Sequence, residues 1–438
     1  MSRDEAMRAF LAGSGFEGAR IEPLAQDASF RRYWRLTGAL GGAVLMDAPA
    51  PEDVRPFLRI AAHLEAIGLS VPRVFKADAE AGFVLEEDLG DALLSVVLDE
   101  VAEAGLGGDG YASPPPPVPL PQGEGGRGGA AGVPVPQVAA AGLSTSRMAT
   151  VRVSHPRVAV ARLSTAQVAI DSVPTPRVAV ARVSGPSVDA ATVLHAAIDA
   201  LIPLQRAAPP PGLPAWNAQA MAETALGTLF DWWWPAAFGT PAPDAARAEV
   251  GAALAAILAP LLAGPRCFVH RDFFAGNLLW LPDRAAVGTT GARAAGAYSP
   301  PTPGASSPRD VGIIDFQGAA IGHPAYDLAS LLQDARRDIP PAIAAEVLAR
   351  YLTLRPELDP AAFRAAYAAC AAQRHLRVAC QWVRLALRDN RPQYLAYGQR
   401  TWRLLAQALE DPAVAPLARA LDRWIPAEQR RNPPGLAA

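Results

Sequence analysis

The sequence predicts an α+β protein with two lobes, a small β-rich lobe over residues 1–90 and a larger, mostly helical lobe after it. In the first lobe, the runs FRRYWRL and AVLMDA have the length and patterning of strands, and Gly41 and Gly42 lie between them. Such an arrangement is typical of a β-hairpin. From Asp91 onward, apolar residues recur at helical spacing instead. The change of period near residue 90 therefore marks the boundary between the lobes.

The remaining elements are interpreted from the same local periods. In the first lobe, the segment PEDVRPFLRIAAHLEAIGL predicts a helix that ends at Gly68, and VPRVFKAD and GFVLEEDL predict two more strands. In the second lobe, we expect helices at residues 188–208, 219–231, 245–262, 324–338, 343–354, 361–387 and 394–409.

Two segments of low complexity interrupt the second lobe. Residues 104–186 hold a Pro- and Gly-rich stretch and then a degenerate ten-residue repeat, as in PRVAVARLS and PRVAVARVS, and residues 283–309 are of similar character. Pro and Gly at this density break helices and sheet ladders. Both segments are predicted to be insertions, the first of them disordered or a weak stack of hairpins. The helical lobe then comprises residues 91–103, 187–282 and 310–438.

Charge and composition exclude several classes of protein. The 438 residues carry 40 Lys plus Arg against 42 Asp plus Glu, a net charge of -2, which does not indicate a nucleic-acid or membrane partner. Three cysteines without metal-binding spacing favour a reducing compartment. The amino terminus lacks the pattern of a signal peptide, and the apolar run at 250–264 is too short to cross a bilayer. A cytoplasmic monomer is expected.

The pattern that indicates chemistry is a polar loop between the apolar runs CFV and LLWL. His270, Asp272 and Asn277 have the spacing H-x-D-x-x-x-x-N, and the later run VGIIDF places Asp315 at the end of a strand. In phosphoryl transfer, one carboxylate takes the proton of the acceptor hydroxyl, while an Asn and a second Asp hold Mg²⁺ against the nucleotide phosphates. Singly, such residues are more often turn formers; jointly, they predict Asp272 as the base and Asn277 and Asp315 as the metal ligands. We expect His270 to support this catalytic loop by hydrogen bonding to backbone, not as an acid or base.

This pair of motifs resembles the aminoglycoside phosphotransferase and choline kinase superfamily. Within it, the sequence is most similar to the bacterial anomeric sugar kinases of cell-wall recycling, which act on N-acetylmuramate and N-acetylglucosamine. The resemblance covers the chain apart from the two insertions, and it implies a bilobal protein-kinase-like fold with ATP and Mg²⁺ as cofactors. The stretches that carry it are DASFRRYWRL, VLMDAPAPED, VPRVFKAD, GFVLEEDLGD, LFDWWW, FVHRDFFAGNLLW, VGIIDFQGAAIGHPAYDLASLLQDA and RLALRDNRPQYL.

The resemblance also implies roles for residues outside the catalytic loop. Ser29, Arg31 and Arg32 would lie over the ATP phosphates, and the link that contains Glu87 and Leu89 would offer backbone hydrogen bonds to adenine. Asp327 would brace the catalytic loop from the start of the next helix. A second interpretation of Asp327, as an acidic residue that complements the helix dipole, is compatible with that role.

One departure from the superfamily concerns lysine. Most members carry a Lys in the strand where this chain has Met46, and its single lysine, Lys76, lies on a later strand. Either the protein does not catalyse, or another cation contacts the phosphates. Because the recycling sugar kinases also carry M-D-A-P here, we favour the second interpretation, with Arg31 or Arg32 as the cation. Alternatively, one of these arginines faces solvent.

The segment LFDWWWP is the candidate acceptor site. Three consecutive Trp cannot all face one core from an α-helix, because neighbours are about 100° apart. We therefore expect Trp233 to stack on a sugar ring and Asp231 to bind hydroxyl groups; the alternative is that the Trp cluster packs the lobe. Aminoglycosides are polycations and need a strongly acidic pocket, which this segment does not predict. A neutral or acidic amino sugar fits better.

Three functions remain open from the sequence. The first is a kinase that phosphorylates the anomeric hydroxyl of N-acetylmuramate or N-acetylglucosamine, in peptidoglycan recycling. The second is a kinase for another small alcohol, similar to an aminoglycoside or choline kinase. The third is a non-catalytic nucleotide-binding module, which the missing strand lysine suggests.

Overall fold

A computed structural model of the protein describes residues 2–24, 31–105, 188–282 and 307–436. Most of the two predicted insertions lies outside these ranges, so the proposed domain boundaries stay a prediction. Ser29 also lies outside the described residues.

The described part of the N-terminal lobe is built on a five-stranded antiparallel sheet of order β1-β2-β3-β5-β4. The predicted hairpin is confirmed, since β2 and β3 pair along their length and Gly38 lies opposite Gly41. Gly41 has a φ of 102°, which an L-residue rarely adopts, so glycine suits this tight turn. The strands are β1 (Arg20–Pro23), β2 (Arg32–Gly38), β3 (Gly41–Asp47), β4 (Val74–Asp78) and β5 (Phe83–Glu87).

Two helices, α1 (Arg3–Leu11) and α2 (Arg55–Ala66), cover opposite faces of this sheet. Successive side chains of a strand point to opposite faces. Leu45 accordingly packs with Phe10 of α1, whereas its neighbour Met46 packs with Phe57 of α2. The side of the sheet that carries Met46 is therefore the side that continues into the core of the second lobe.

The second lobe is mostly helical, as predicted, with two short two-stranded ladders near its start. These ladders pair β6 (Cys267–Val269) with β9 (Ala320–Gly322), and β7 (Leu278–Trp280) with β8 (Val311–Ile313). The helices are α3 (Leu94–Glu103), α4 (Ala190–Arg206), α5 (Ala218–Thr228), α6 (Trp234–Phe238), α7 (Asp244–Leu258), α8 (Ala325–Leu332), α9 (Pro341–Leu354), α10 (Pro360–Arg388), α11 (Gly398–Ala408) and α12 (Ala415–Trp424).

Two helix ends differ from the sequence prediction. The helix predicted over 324–338 stops at Leu332, because the side chain of Asp334 accepts a hydrogen bond from the backbone N–H of Arg336 and closes a turn there. The helix predicted over 219–231 becomes a π-helical turn at Leu229–Trp233. That turn changes which side chains face the core.

Helix α10 is the central element of the second lobe. Its 29 residues begin after Asp359, whose side chain accepts a hydrogen bond from the N–H of Ala362, and Pro360 takes the first helical position. The helix packs against α5, α8 and α11. Three polar side chains at its middle are also buried: Gln373, Arg374 and His375. A central helix that buries an arginine is unusual for packing alone.

One segment of the described residues, Asp244–Leu262, is long and apolar enough to cross a membrane by length and composition. It comprises α7 and a following 3₁₀ turn.

We predict that Gly82→Ala destabilises the fold more than Gly13→Ala. Both glycines have a similar positive φ, 73° and 71°, so each substitution carries a strain of about 1–2 kcal/mol. A Cβ on Gly82 would also lie 2.2 Å from the carbonyl oxygen of Ala48, whereas a Cβ on Gly13 would meet nothing within 4 Å. Urea unfolding of both variants measures the difference. Equal losses of unfolding free energy would contradict the prediction.

Candidate active site

The ladder between β7 and β8 brings the predicted catalytic residues together. Leu278 pairs with Ile313, so Asn277, just before β7, lies next to Ile314 and Asp315, just after β8. The backbone N–H of Ile314 donates to the carbonyl oxygen of Asn277 at 3.1 Å. The amide Nδ2 of Asn277 donates to the carbonyl oxygen of Asp272 at 2.9 Å. The H-x-D-x-x-x-x-N loop and the later I-D-F are therefore one site.

His270 connects the catalytic loop to the segment that carries Asp315. Its ring is buried; Nε2 lies 2.9 Å from the carbonyl oxygen of Ile314, and Nδ1 accepts from the N–H of Asp272 at 3.3 Å. This pair of contacts requires the proton on Nε2. Both ring nitrogens are thus engaged with backbone, as expected for a residue that supports the loop.

Asp327 holds the loop from the first turn of α8. Its carboxylate is fully buried and accepts hydrogen bonds from the N–H groups of His270 at 2.7 Å and of Arg271 at 2.9 Å. Arg271 has a φ of 76°, a strained conformation for a residue with a side chain. Desolvation raises the pKa of Asp327 to about 6, although both backbone hydrogen bonds oppose it. The two N–H donors stabilise the carboxylate in a site that would otherwise disfavour its charge.

Asp272 is exposed at the surface, although the surrounding protein still desolvates its carboxylate. Desolvation raises the pKa of this carboxyl, yet the charges of Arg377, Arg374 and Arg336 outweigh it and leave the pKa below its ordinary value. Asp272 is therefore ionised at neutral pH, which a proton acceptor requires.

The three arginines around Asp272 were not predicted from the sequence. They lie about 60–105 residues from Asp272 along the chain, and only the packing of α10 and of the turn after α8 brings them to it. The one available signal was the spacing of Arg374 and Arg377, which places both on one face of a helix that is otherwise largely apolar.

The donor atoms near Asp272 suit a divalent metal. Because Nδ2 of Asn277 is bonded to the carbonyl oxygen of Asp272, the amide presents its oxygen. Asp315 has a φ of 61° and accepts a hydrogen bond from Gln317 at 2.5 Å. Mg²⁺ is usually held by one or two protein oxygens together with phosphate groups. Among the described residues, there is no cluster of three or more His, Cys, Asp or Glu that could hold a metal by itself.

The sheet of the N-terminal lobe contributes a second polar group to this site. Arg31 is buried, and its Nε lies 3.0 Å from a carboxylate oxygen of Glu52. Tyr33, the next residue on the same face of the sheet, has its pKa raised by burial, by the charge of Glu86 and by that of Asp315, while Arg31 opposes these effects. Arg31 and the candidate metal ligand Asp315 are therefore both close enough to Tyr33 to act on its charge.

Arg32 faces away from this site, which corrects one of the two predictions for the phosphate-binding cation. It is adjacent to Arg31 along the strand, so its side chain lies on the opposite face. Its Nη2 lies 2.5 Å from Asp47, which also accepts hydrogen bonds from Arg3 of α1. Of the two arginines, Arg31 alone stands on the side of Asp315.

The residues predicted to contact adenine lie at the end of β5. The backbone N–H of Glu87 already donates to the carbonyl oxygen of Arg73 at 2.9 Å, so it is not available as a donor to a base. Leu89 is half-buried two residues further on, and a Cβ on Gly312 of β8 would lie 3.0 Å from its side chain. Leu89 therefore stays a candidate, whereas the donor role of Glu87 is not supported.

Trp233 does not have the position that the sequence predicted. It is fully buried, donates from Nε1 to the carbonyl oxygen of Arg431 at 2.9 Å, and packs on Trp402 with ring centroids 5.2 Å apart. No surface remains to stack on a sugar. The reason is the π-helical turn, whose wider spacing buries both Trp233 and Trp234. Asp231 is exposed and pairs with Arg247 of α7.

Comparisons with known proteins show the family to which the chain belongs. The model of the phosphotransferase enzyme family matches residues 20–107, 129–287 and 306–365. The chain is 30% identical to an N-acetylmuramate/N-acetylglucosamine kinase of Caulobacter vibrioides, with 98% of each protein covered. It is 26% identical to an N-acetylmuramate/N-acetylglucosamine kinase of Pseudomonas aeruginosa, over 92% of this chain and 88% of that one. Among solved structures, a choline/ethanolamine kinase family protein from Mesorhizobium loti is similar, with a TM-score of 0.49, 13% identity, and 96% of this chain and 100% of that one covered.

We predict that Glu86 makes the folded state less stable as the pH rises. Burial raises its pKa from 4.5 to about 8, and the charge of Arg31 opposes the shift only in part. Since the folded state then binds the proton more tightly than the unfolded state, the stabilising contribution is complete below about pH 4.5 and is lost as the pH rises through about 8. Glu86→Gln should remove this dependence.

The measurement is the midpoint of thermal unfolding between pH 5 and pH 9. The midpoint of the parent protein should fall more steeply toward pH 9 than that of Glu86→Gln. Replacement of the exposed Glu65 by Gln is the matched control and should leave the slope unchanged. Parallel curves for the parent and Glu86→Gln would contradict the assignment of this proton.

Proposed function

The chain belongs to the phosphotransferase enzyme family, and we propose that it transfers the γ-phosphoryl group of MgATP to the anomeric hydroxyl of N-acetylmuramate or N-acetylglucosamine. The observation that carries the proposal is the arrangement of Asp272, Asn277 and Asp315 at one end of the β7–β8 ladder, where Asn277 is hydrogen-bonded to the backbone of both Asp272 and Ile314. The two named relatives, which are kinases for these sugars, support the choice of acceptor.

Asp272 is the proton acceptor in this proposal. The acceptor oxygen forms a bond to the γ-phosphorus as the bond from phosphorus to the leaving ADP oxygen breaks, and the hydroxyl proton passes to the Asp272 carboxylate. An anomeric hydroxyl is more acidic than an ordinary alcohol, so an ionised carboxylate is a sufficient base. His270 and Asp327 contribute by fixing the loop, which keeps Asp272 in line with the transferred group.

Asn277 and Asp315 would hold Mg²⁺ in this site. When bound, the ion neutralises charge on the β- and γ-phosphate oxygens. The fixed orientation of the Asn277 amide supports this role, since its nitrogen is committed to the carbonyl oxygen of Asp272.

Arg31 is the cation that we propose in place of the missing strand lysine. Met46 is buried on the same face of the sheet as Tyr33, so no cation reaches the site from that position of β3. The guanidinium of Arg31 is oriented by Glu52, and its Nη1 is buried without a hydrogen-bond partner among the described residues. A guanidinium can bind two phosphate oxygens through parallel N–H groups. This observation favours an active kinase over a non-catalytic module.

The arginines around Asp272 also bear on the choice of acceptor. Arg336, Arg374 and Arg377 place positive charge beside the base, and a polycationic aminoglycoside would be repelled there. A neutral or anionic sugar is compatible with the same surroundings. We place the enzyme in the cytoplasm as a monomer, where ATP is available. Its three cysteines are free thiols, which agrees with a reducing compartment.

We predict that the purified protein, with ATP and Mg²⁺, phosphorylates one or both of these sugars at the anomeric position. Asp272→Asn should lower kcat by about 10²- to 10⁴-fold, with little change in the KM for ATP. Asp244→Asn, at an exposed position on α7, is the control and should retain full activity. Mass spectrometry and coupled ADP release give the readout; no phosphorylated product from either sugar would refute the proposal.

We also predict that MgATP stabilises the folded protein against heat, since a ligand that binds only the folded state raises its stability. Asp315→Ala should lose the part of the shift that depends on Mg²⁺. Arg31→Met should lose most of the shift, and Arg31→Lys should lose less. Differential scanning fluorimetry with ATP, with and without Mg²⁺, measures these shifts. An Mg²⁺-dependent shift that persists in Asp315→Ala would contradict the metal assignment.

A further inference from the structure

Three guanidinium groups lie near the loop that carries Asp272. Arg336 lies over the ring of Phe274 in that loop, Arg377 contacts Tyr326, which precedes Asp327, and Arg374 lies one turn before Arg377. Arg374 and Arg377 extend from α10, and Arg336 follows α8. The charges of all three act on the Asp272 carboxylate. The buried carboxylate of Asp334 also acts on Arg374, so two carboxylates face three positive charges.

Two of these arginines lack the partners that buried arginines normally have. Arg374 is only 2% exposed, and its Nε and Nη1 have no hydrogen-bond partner among the described residues. The Nε of Arg377 is likewise unbonded within that part of the chain, and its Nη2 makes only a long contact of 3.4 Å with the hydroxyl of Tyr326. By contrast, the buried Arg337 pairs with Asp99, and the buried Arg355 pairs with Glu357.

Leaving buried donors unpaired is costly, at about 1–3 kcal/mol for each group and more for a charged one. The cost of an unpaired buried cation is removed when an anion binds beside it. The unpaired donors of Arg374 and Arg377 are therefore suited to bind a negatively charged group.

Arg336 is held in a way that leaves its donors available. Its guanidinium lies over the ring of Phe274 at 4.3 Å and near the ring of Trp382 at 5.3 Å. Such contacts use the flat face of the guanidinium, whereas its N–H groups lie in the plane and can bind an oxyanion. The backbone is fixed as well, since the carbonyl oxygen of Arg336 accepts a hydrogen bond from Arg400 at 3.1 Å.

The position of the cluster indicates which part of the reaction it serves. The charge of Asp315 acts on Tyr33 of the N-terminal sheet, which lies beside Arg31. Arg374 and Arg377 belong instead to a helix that packs within the helical lobe, against α5, α8 and α11. The nucleotide phosphates and the arginine cluster are thus assigned to different sides of Asp272, and the second side is the one left for the acceptor.

We propose that Arg377 and Arg336, supported by the buried Arg374, bind a carboxylate of the acceptor beside Asp272, and that this contact makes the enzyme selective for an anionic sugar over a neutral one. The inference rests on the proposed function and names its preferred substrate class. Of the two sugars considered, N-acetylmuramate carries a carboxylate on its lactyl ether and N-acetylglucosamine does not. The cluster therefore favours N-acetylmuramate.

The test is the ratio of kcat/KM for the two sugars in the full-length protein. The parent should prefer N-acetylmuramate. Arg377→Gln should lower kcat/KM for N-acetylmuramate by about 10- to 100-fold, chiefly through KM, because a charge-assisted hydrogen bond is lost. The value for N-acetylglucosamine should change by less than about threefold. Arg377→Lys should restore part of the preference, and Arg364→Gln, at an exposed position on the same helix, should leave the ratio unchanged.

Several outcomes would overturn this inference. An equal loss on both sugars would show that Arg377 serves the transferred phosphoryl group, and an unchanged ratio would show that it binds no acceptor carboxylate. If Arg377→Gln does not fold, as judged by circular dichroism, Arg336→Gln takes its place with the same expected ratio.

Failure of the proposed function has a different signature, because the parent would then phosphorylate neither sugar. In that case the inference is tested by the binding of the two sugars to the protein. N-acetylmuramate should still raise the midpoint of thermal unfolding of the parent more than N-acetylglucosamine does, and Arg377→Gln should abolish the difference. Equal shifts with both sugars, or no shift with either, would overturn the carboxylate site.

Discussion

The hydrogen bonds from the His270 and Arg271 N–H groups to the buried carboxylate of Asp327 are the interaction on which the active site depends. They hold Arg271 in a strained backbone conformation and so fix the direction in which the chain presents Asp272. The ring of His270 is hydrogen-bonded to the carbonyl oxygen of Ile314 and so ties the loop to the segment that carries Asp315. Asp272 and Asp315, the proposed base and the proposed metal ligand, are therefore positioned by one small set of hydrogen bonds, and the helix that carries Asp327 anchors this set in the core.

In a chain that has a single lysine, arginine supplies nearly all of the positively charged side chains. One guanidinium, that of Arg31, lies on the face of the sheet where a strand lysine would be expected. Glu52 orients it. The charges of three others, Arg336, Arg374 and Arg377, act on Asp272. Because a guanidinium stays protonated and offers a planar set of donors, it binds phosphate and carboxylate with defined geometry. The same residue type can thus serve both the nucleotide and the acceptor.

The patterns that could be predicted from the sequence are those that depend on neighbours along the chain. The hairpin of β2 and β3 was predicted because alternation and turn glycines are local signals, and Asp272, Asn277 and Asp315 were recognised because their spacing and flanking strands are local as well. Trp233 was misplaced because the prediction assumed α-helical geometry, and the π-helical turn altered which side chains face inward. Arg31 and Arg32 both stayed candidates for the phosphate-binding cation. Alternation along a strand places the two side chains on opposite faces of the sheet, but it does not say which face meets the candidate active site.

By itself, the sequence determined the two lobes and the order of their elements, and it predicted Asp272, Asn277 and Asp315 as the catalytic groups, since periodicity and motif spacing are written in consecutive residues. Only the tertiary structure decided that Arg31 and not Arg32 lies on the side of Asp315, that Trp233 belongs to the core, and that Arg336, Arg374 and Arg377 approach Asp272. Contacts of this kind join residues far apart in the chain. Their geometry is set by how helices and sheets pack, which no local pattern encodes.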